Sequence, residues 1–389
     1  MTFSTFAQSA IPYLIAAFAA AAIVSFVLTP LVRRVAIHVD AIDHPDDRRV
    51  NVVPIPRGGG IAVATAFIAV ALVFSLANEQ LQFLPVPFAV DPASLVALLL
   101  GGALAAAIGV LDDSFDLRAR WQFAGQLALA LLAVGLGVVV TFIANPFGPG
   151  LIRFDGAFAV GFTVLWIAGM INSMNFIDGL DGLSSGVALI AALTLGTISL
   201  TTQVSQPFIA VLCFGLAGAL LGFLRWNFHP ASVFVGTSGV MFIGYTLAVL
   251  AILGTAKVAV ALLVLGVPII DAFWIIVRRL AQGRSPFSPD RGHLHHRLLD
   301  VGLSHRGTVL FIYAVCIVLA ALSLLLTGLN QVLAFAAVFV TIGVLLLVLA
   351  RLNLSDESDE GDQEAAEAPA EIPADAPSTA SPAETSGRT

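Results

Sequence analysis

The segment 207–224 reads PFIAVLCFGLAGALLGFL, contains no charged side chain, and is followed directly by Arg225. A helix that crosses the hydrocarbon core of a bilayer needs roughly 20 apolar residues, so this segment predicts a membrane-spanning helix. Similar apolar runs recur on both sides of it. We therefore expect an all-α polytopic membrane protein with about eleven transmembrane helices, at about 9–32, 58–77, 94–111, 122–144, 157–174, 184–202, 207–224, 238–256, 258–277, 308–328 and 332–350.

The composition of the 389-residue chain excludes a soluble enzyme. Hydrophobic residues make up 58% of the chain and charged residues 11%, whereas a soluble domain has about 25% charged residues. The end of the chain differs sharply, because 352–389 carries ten acids and one base and is rich in Ala, Pro and Glu. We predict a transmembrane domain over 1–351 and a disordered, acidic cytoplasmic tail over 352–389.

The distribution of arginine predicts the orientation of the helices. Alternate loops between the predicted spans contain fourteen arginines, whereas the opposite loops contain only Arg153 and Lys257. Because cytoplasmic loops carry the excess of Lys and Arg, we expect the N-terminus outside and the C-terminus in the cytoplasm. Most acids of 1–351 fall on the arginine-rich side, which favours chemistry at that membrane face. A transporter would instead place ionisable groups near the midplane.

Three carboxylates, Asp112, Asp113 and Asp116, follow the third predicted span. On a helix, residues three and four positions apart share a face, so these side chains would lie close together. Such carboxylates repel one another unless a cation lies among them or a pKa is raised. Oxygen ligands of this kind suit Mg²⁺. The alternative is a solvated helix end whose acids pair with Arg118 and Arg120.

The segment 172–183, NSMNFIDGLDGL, places a polar residue at every third position: Asn172, Asn175, Asp178 and Asp181. The glycine that follows each acid weakens a helix, so we expect both acids on a cytoplasmic loop. No Arg or Lys in this segment balances their charge. A functional role is therefore favoured over a merely solvated face.

The segment 290–297, DRGHLHHR, contains three histidines and two arginines. Arg and His side chains suit phosphate oxygens, so this cluster predicts an anion site. Zinc is the alternative, since His-x-His spacing can bind metal, but the flanking arginines would repel a cation.

A glycine-rich motif, PIPRGGG at 54–60, precedes the second span. Its glycines would let backbone amides approach an anion. Acidic and basic motifs would thus share one aqueous face. Together they predict a magnesium-assisted phosphoryl-transfer site, where carboxylates hold the ion and Arg and His hold a diphosphate.

These motifs resemble those of the polyprenyl-phosphate N-acetylhexosamine-1-phosphate transferase family. The matching residues cover most of 1–351 and are Arg57-Gly58-Gly59-Gly60, Asp112-Asp113-x-x-Asp116, Asn172-x-x-Asn175-x-x-Asp178-Gly179-x-Asp181-Gly182, Asp271 near the end of the ninth span, and Asp290-Arg291-x-His293-x-His295-His296. The resemblance implies an eleven-span bundle and a requirement for Mg²⁺, with Mn²⁺ as a substitute. It also implies transfer of a sugar 1-phosphate from a UDP-sugar donor to a membrane-bound polyprenyl phosphate, with release of UMP.

The His-x-His-His form resembles the branch that uses UDP-N-acetylglucosamine and initiates the synthesis of cell-envelope polysaccharides. We expect this reaction at the cytoplasmic face of a bacterial cytoplasmic membrane, with undecaprenyl or another polyprenyl phosphate as acceptor and no nucleic-acid partner. The chain could act as a monomer or a homodimer. Two alternatives stay open: a phospho-N-acetylmuramoyl-pentapeptide transferase of peptidoglycan synthesis, and a catalytically silent homologue that binds polyprenyl phosphate.

The resemblance also implies roles for individual residues. The candidate catalytic residues are Asp112, which would act on the attacking phosphate, Asp113, and Asp178 and Asp181, which would position the uridine or the sugar. The candidate Mg²⁺ ligands are Asp113, Asn175, Asp112 and Thr237. The candidate substrate-binding residues are Arg57, Asp116, Arg120, Asn172, Asp271, Arg291, His293, His295 and His296. Direct transfer and an aspartyl-phosphate intermediate are both compatible with this set.

Two positions depart from the family's pattern. The segment FVGTSG at 234–239 has Thr237 where the family usually has an Asp that ligates Mg²⁺. Because a neutral hydroxyl is a weaker ligand for a hard cation, ligation would shift to the other candidates or the activity would fall, which motivates the silent alternative. Arg120 stands where the family often has Lys, and it keeps the charge without the geometry.

Overall fold

The structure is a computed structural model that describes residues 5–44, 53–84, 90–145, 148, 150–201, 204–254 and 302–326, together with scattered residues between 266 and 348. Most of the described chain is helical. The main helices are α1 (Thr5–His38), α2 (Gly60–Leu81), α3 (Pro92–Phe115), α4 (Ala119–Gly135), α5 (Gly156–Ile177), α6 (Leu183–Ser199), α7 (Pro207–Asn227), α8 (Gly236–Leu253) and α9 (His305–Leu325).

Within the described residues, seven of these helices are long and apolar enough to cross a membrane. The exceptions are α4 and α6, which have 17 residues each. The protein is therefore a helical, multi-pass membrane protein, as the apolar runs predict. The predicted span at 258–277 lies almost wholly outside the described residues, as do the tail at 352–389 and much of the last span.

The fourth predicted span ends earlier than its hydropathy suggests. Helix α4 stops at Gly135, and Gly137 adopts a positive φ of 88°, a conformation typical of the residue after a helix. The apolar residues that follow form a strand instead. Strand β3 (Phe142–Ala144) pairs antiparallel with β4 (Leu151–Arg153). Hydropathy alone does not distinguish a span from an apolar hairpin beside it.

A second hairpin lies between α1 and α2. Its strands, β1 (Ile42–Asp43) and β2 (Ile55–Pro56), pair antiparallel. The carbonyl of Pro56 accepts a 2.9 Å hydrogen bond from the backbone N–H of Phe234. The start of α2 is thereby tied to the segment that precedes α8.

Helices α7 and α8 form the most buried part of the bundle. Helix α7 packs against α1, α2 and α6, and α8 packs against α2, α3, α5 and α6. Small residues permit this approach. A Cβ atom on Gly218 would lie 2.0 Å from the carbonyl oxygen of Phe18, and one on Gly222 would lie 2.1 Å from that of Ala22. The end of α3 contacts the start of α8, the start of α2 contacts the segment before α8, and the turn after α5 contacts the segment after α7, so polar motifs from several parts of the chain lie at one end of the bundle.

Candidate functional site

The centre of the site is the junction between the end of α3 and the start of α8. One carboxylate oxygen of Asp113 accepts a 2.7 Å hydrogen bond from the backbone N–H of Thr237, and the other accepts a 3.0 Å bond from that of Ser238. Gly109 and Gly236 allow this approach, because a Cβ on Gly109 would lie 2.3 Å from the Cα of Ser238 and one on Gly236 would lie 2.6 Å from the Asp113 carboxylate. The positive end of the α8 dipole further favours the carboxylate.

The other two acids of this motif have surroundings different from those of Asp113. Helix α3 ends at Phe115, and Asp116 turns out in a left-handed conformation with φ 46°. The side chain of Asp116 is 94% exposed, whereas residue Asp112 is only 7% exposed. Asp112 accepts hydrogen bonds from the backbone of Leu117 and from Gln122. The expectation that Asp116 lies on the same helix as Asp112 and Asp113 is wrong, because α3 ends at Phe115.

Arg57 lies at the end of strand β2 and forms an ion pair that sequence analysis missed. Its guanidinium contacts the carboxylate of Asp43 on β1, and its other terminal nitrogen lies 3.8 Å from Asp116. Asp43 is only 5% exposed. The sequence gives no signal for this pair, because it depends on the β1–β2 register.

The glycines after Arg57 serve helix packing. The backbone N–H groups of Gly59 and Gly60 donate 2.9 Å hydrogen bonds to the carbonyl oxygens of Phe234 and Val235. A Cβ on Gly60 would lie 1.9 Å from the Cα of Gly239. These two amides are occupied by protein acceptors, so they do not form the anion cradle expected from the motif.

Asp178 occupies the turn between α5 and α6, as predicted from the glycines around it. Its carboxylate accepts a hydrogen bond from the hydroxyl of Ser184 on α6. The pKa of Asp178 is raised to about 7, chiefly by burial and in smaller part by the negative charges of Asp113 and Asp181, while the Ser184 hydrogen bond and the Arg57 charge oppose the shift. Asp113 at the end of α3 and Asp181 in the same turn thus both lie within electrostatic reach of Asp178.

Asp181 lies in the same turn and contacts two histidines that sequence analysis did not single out. Its carboxylate lies 2.7 Å from Nδ1 of His229, and its backbone N–H donates a 2.9 Å hydrogen bond to Nε2 of His305. Each histidine is isolated at a helix end in the sequence. No local pattern could have indicated that they meet at this turn.

The structure describes three more of the predicted residues, Asn172, Asn175 and Arg120. Asn172 donates hydrogen bonds to Gln126 on α4 and to the carbonyl of Ala168, so it joins α5 to α4. Asn175 is exposed one turn before Asp178. The exposed Arg120 lies with its guanidinium carbon 5.6 Å from the centroid of the Trp121 ring. Five predicted residues lie outside the described residues: Asp271, Arg291, His293, His295 and His296.

The structure therefore brings together oxygen donors and one guanidinium from separate segments of the chain. The donors are the carboxylates of Asp113 and Asp178, and Arg57 lies close enough for its charge to act on both. Thr237 contributes through its backbone, since its N–H group binds Asp113. Such a set suits a phosphorylated ligand together with a hard cation.

Comparison with known proteins supports a family assignment. The family model of glycosyl transferase family 4 matches residues 95–255. A probable undecaprenyl-phosphate N-acetylglucosaminyl 1-phosphate transferase of Bacillus subtilis (strain 168) is 32% identical over 351 residues, which cover 88% of this chain and 93% of that protein. A decaprenyl-phosphate N-acetylglucosaminephosphotransferase of Mycobacterium tuberculosis (strain ATCC 25618 / H37Rv) is 39% identical and covers 75% of this chain and 77% of its own length.

A third relative is an undecaprenyl-phosphate alpha-N-acetylglucosaminyl 1-phosphate transferase of Thermotoga maritima, which is 33% identical over 71% of this chain and 78% of its own length. These identities extend over most of both proteins in each comparison. They confirm the resemblance that the motifs indicate. The chain therefore belongs to glycosyl transferase family 4, the family of polyprenyl-phosphate N-acetylhexosamine-1-phosphate transferases.

Proposed function

We propose that this protein transfers N-acetylglucosamine 1-phosphate from UDP-N-acetylglucosamine to a polyprenyl phosphate, releases UMP, and so forms a lipid-linked diphospho-sugar. The observation that carries the proposal is the meeting of Asp113, Asp178 and Arg57 at one end of the bundle. The three residues come from three separate segments of the chain: the end of α3, the turn after α5 and the loop before α2. The relatives described above are named for activity on a polyprenyl phosphate and N-acetylglucosamine, which supports the same substrates here.

In the proposed reaction, a phosphate oxygen of the lipid attacks the β-phosphorus of the donor. A new P–O bond forms there, and the bond between the β-phosphorus and the bridging oxygen breaks, so that UMP leaves with both electrons of that bond. Catalysis of this kind depends chiefly on positioning and on stabilisation of phosphate charge. Arg57, fixed by the buried Asp43, is placed to bind a phosphate oxygen of the donor.

The residues present fit a bound Mg²⁺ ion. Asp113 keeps its two carboxylate oxygens fixed by amides of α8, and Asp178 has a raised pKa in part because another carboxylate lies nearby. A cation would relieve that repulsion. We propose that Asp113 and Asp178 hold Mg²⁺ together with the exposed amide of Asn175. When bound, the ion neutralises negative charge on the diphosphate.

Asp112 is placed for support more than for nucleophilic attack. Its side chain is buried, and one carboxylate oxygen already accepts two hydrogen bonds, from the Leu117 backbone and the Gln122 amide. A nucleophile must approach phosphorus in line and lose such contacts. This arrangement supports direct transfer over an aspartyl-phosphate intermediate on Asp112.

The site lies at the end of the bundle where α3, α5 and α7 end and α2, α6 and α8 begin. The arginine bias of the loops supports a cytoplasmic location for this end. We propose a bacterial cytoplasmic membrane as the location, with the lipid acceptor entering from the bilayer and the nucleotide from the cytosol.

Two alternatives make different predictions. A pentapeptide transferase would use a UDP-muramoyl-pentapeptide donor, and none of the relatives described above is named for that activity. A silent homologue would bind the lipid without transfer, an idea motivated by Thr237. The contact of residue 237 with Asp113 runs through the backbone, so the loss of a side-chain carboxylate there leaves the junction intact.

The test is transfer by purified protein in detergent. UDP-[¹⁴C]GlcNAc, undecaprenyl phosphate and Mg²⁺ are mixed with the wild-type protein, and radioactivity is counted in the lipid phase. We expect labelled lipid with wild type and its loss with Asp113→Asn. Labelled lipid with a UDP-muramoyl-pentapeptide donor alone would favour the first alternative. Binding of the lipid without transfer from any UDP-HexNAc would favour the second.

A further inference from the structure

Asp181 is held by contacts on both its side chain and its main chain. One carboxylate oxygen faces Nδ1 of His229 at 2.7 Å and accepts a 3.0 Å hydrogen bond from the backbone N–H of Ala231. The backbone N–H of Asp181 donates to Nε2 of His305 at 2.9 Å. On the next residue, the carbonyl of Gly182 accepts a hydrogen bond from the Tyr313 hydroxyl. Segments that follow α7 and begin α9 therefore fix this turn together.

The two histidines also support each other. Their rings stack with centroids 4.1 Å apart and planes inclined by 21°. Nε of Arg306 donates a 3.1 Å hydrogen bond to the carbonyl oxygen of His229. The first turn of α9 thus holds Asp181 directly through His305 and indirectly through His229.

The donor and acceptor roles follow from the contacts. A backbone N–H can only donate, so Nε2 of His305 carries a lone pair and that ring bears its proton on Nδ1. A carboxylate oxygen accepts, so Nδ1 of His229 carries the proton that faces Asp181. The two histidines therefore serve Asp181 through opposite ring nitrogens.

A metal ion bound by these three residues fits the geometry poorly. Their possible ligand atoms lie within 4.8 Å of one another. However, a histidine binds metal along a lone pair in its ring plane, at about 2.0–2.1 Å for Zn²⁺. The planes of two stacked rings inclined by only 21° do not meet at that distance, and the Nε2 lone pair of His305 already accepts the Asp181 N–H.

We propose that His229 and His305 are positioning residues that hold Asp181 in place at the transfer site. This inference rests on the proposed function, since it assigns Asp181 to that site. The Asp181 carboxylate is only 11% exposed, and its charge reaches Asp178 across the same turn. A carboxylate held rigidly there can bind a hydroxyl or N–H group of the UDP-sugar without a large entropic cost.

The opposite ring nitrogens permit a matched test. An Asn side chain places its terminal amide near the position of Nδ1, and a Gln side chain reaches the position of Nε2. We expect His229→Asn and His305→Gln to keep kcat/KM within about threefold of wild type. We expect His229→Gln and His305→Asn to lower kcat/KM about ten- to hundredfold, mostly through a higher KM for UDP-GlcNAc. The loss of a hydrogen bond to a charged group has an effect of this size.

A double-mutant cycle checks that His229 acts through Asp181. In an Asp181→Ala background, His229→Gln should cost no further activity. Each variant's melting temperature in detergent separates misfolding from mispositioning, and donor binding is read independently as the rise in melting temperature caused by UDP-GlcNAc. That rise should follow the same order of variants even if no transfer occurs, so failure of the proposed function is distinguishable from failure of this inference.

Equal effects of Asn and Gln at both histidines, or additive losses in the cycle, would overturn the inference. Stoichiometric zinc or another transition metal in the purified wild-type protein, measured by mass spectrometry and lost in the His229 and His305 variants, would also overturn it in favour of a metal site.

Discussion

The carboxylate of Asp113 accepts a 2.7 Å hydrogen bond from the backbone N–H of Thr237, and this bond joins the end of α3 to the start of α8. No substitution at position 237 other than proline removes this backbone amide. We therefore expect the junction to tolerate other side chains at residue 237 but not the loss of the Asp113 carboxylate. The same carboxylate is the central oxygen donor of the proposed site, so structure and chemistry depend on one side chain.

Asp113→Asn should abolish transfer more completely than Asp116→Asn. An amide at position 113 would direct N–H groups toward the amides of α8, and it would lose the charge that a cation needs. We expect a loss of at least the ~10–100-fold seen when a supporting metal contact is removed. Asp116 is exposed and lies 3.8 Å from Arg57. Because ion pairs of exposed side chains contribute little, Asp116→Asn should lower transfer less than about fivefold. Radiolabelled lipid product measures both, and equal losses would contradict this assignment.

Thr237→Asp should increase the affinity of the protein for Mg²⁺. The backbone contact with Asp113 is unaffected by the substitution, and a third carboxylate is added at the α8 start. Without Mg²⁺ the added repulsion should lower the melting temperature; with Mg²⁺ the melting temperature should rise further than in wild type. Thr237→Asn is the neutral control. An unchanged Mg²⁺ concentration for half-maximal transfer would place this side chain away from the ion.

The raised pKa of Asp178 predicts a specific pH dependence. Because this pKa is about 7, the carboxyl is protonated below that pH and cannot hold a cation. Transfer at limiting Mg²⁺ should therefore rise between pH 6 and 8, and more Mg²⁺ should move the midpoint to lower pH, since the ion binds the ionised form. Asp178→Asn should remove this limb of the profile. A midpoint independent of Mg²⁺ would show that Asp178 does not bind the ion.

The same shift has a consequence for stability with a definite sign. The pKa in the folded protein lies above its ordinary value of 3.8, so the folded state binds the proton more tightly than the unfolded state. This contribution to stability is fully present below about pH 4 and is lost as the pH rises through about 7. In Mg²⁺-free detergent, the melting temperature of wild type relative to Asp178→Asn should fall over that range.

Much of the helical architecture could be predicted because a bilayer leaves few alternatives. A chain segment in hydrocarbon must satisfy its backbone internally, so an apolar run as long as 207–224 becomes a helix. The end of α4 was less predictable, because the residues after Gly137 are as apolar as the helix itself. The helix ends there because Gly137 adopts a positive φ, which an apolar pattern does not reveal.

The site was predictable at the level of motifs and unpredictable at the level of contacts. The glycines flanking Asp178 placed it correctly on a turn. By contrast, α3 ended before Asp116, which adopts a left-handed conformation, and the approach of α2 to α8 occupied the amides of Gly59 and Gly60. Each of these outcomes depends on tertiary packing, which a single sequence does not encode in any local pattern.

Asp43 offers the sharpest test of that tertiary contribution, because the ion pair with Arg57 exists only through the β1–β2 hairpin. Asp43→Asn should leave the guanidinium of Arg57 less firmly held, and we expect transfer to fall about tenfold, with a loss of stability of about 1–3 kcal/mol. The exposed neighbour Asp40, which tolerates Asn at its positive φ of 57°, provides the control Asp40→Asn. In an Arg57→Ala background, Asp43→Asn should reduce transfer little further. Full additivity of the two losses in kcat/KM would show that Asp43 acts independently of Arg57.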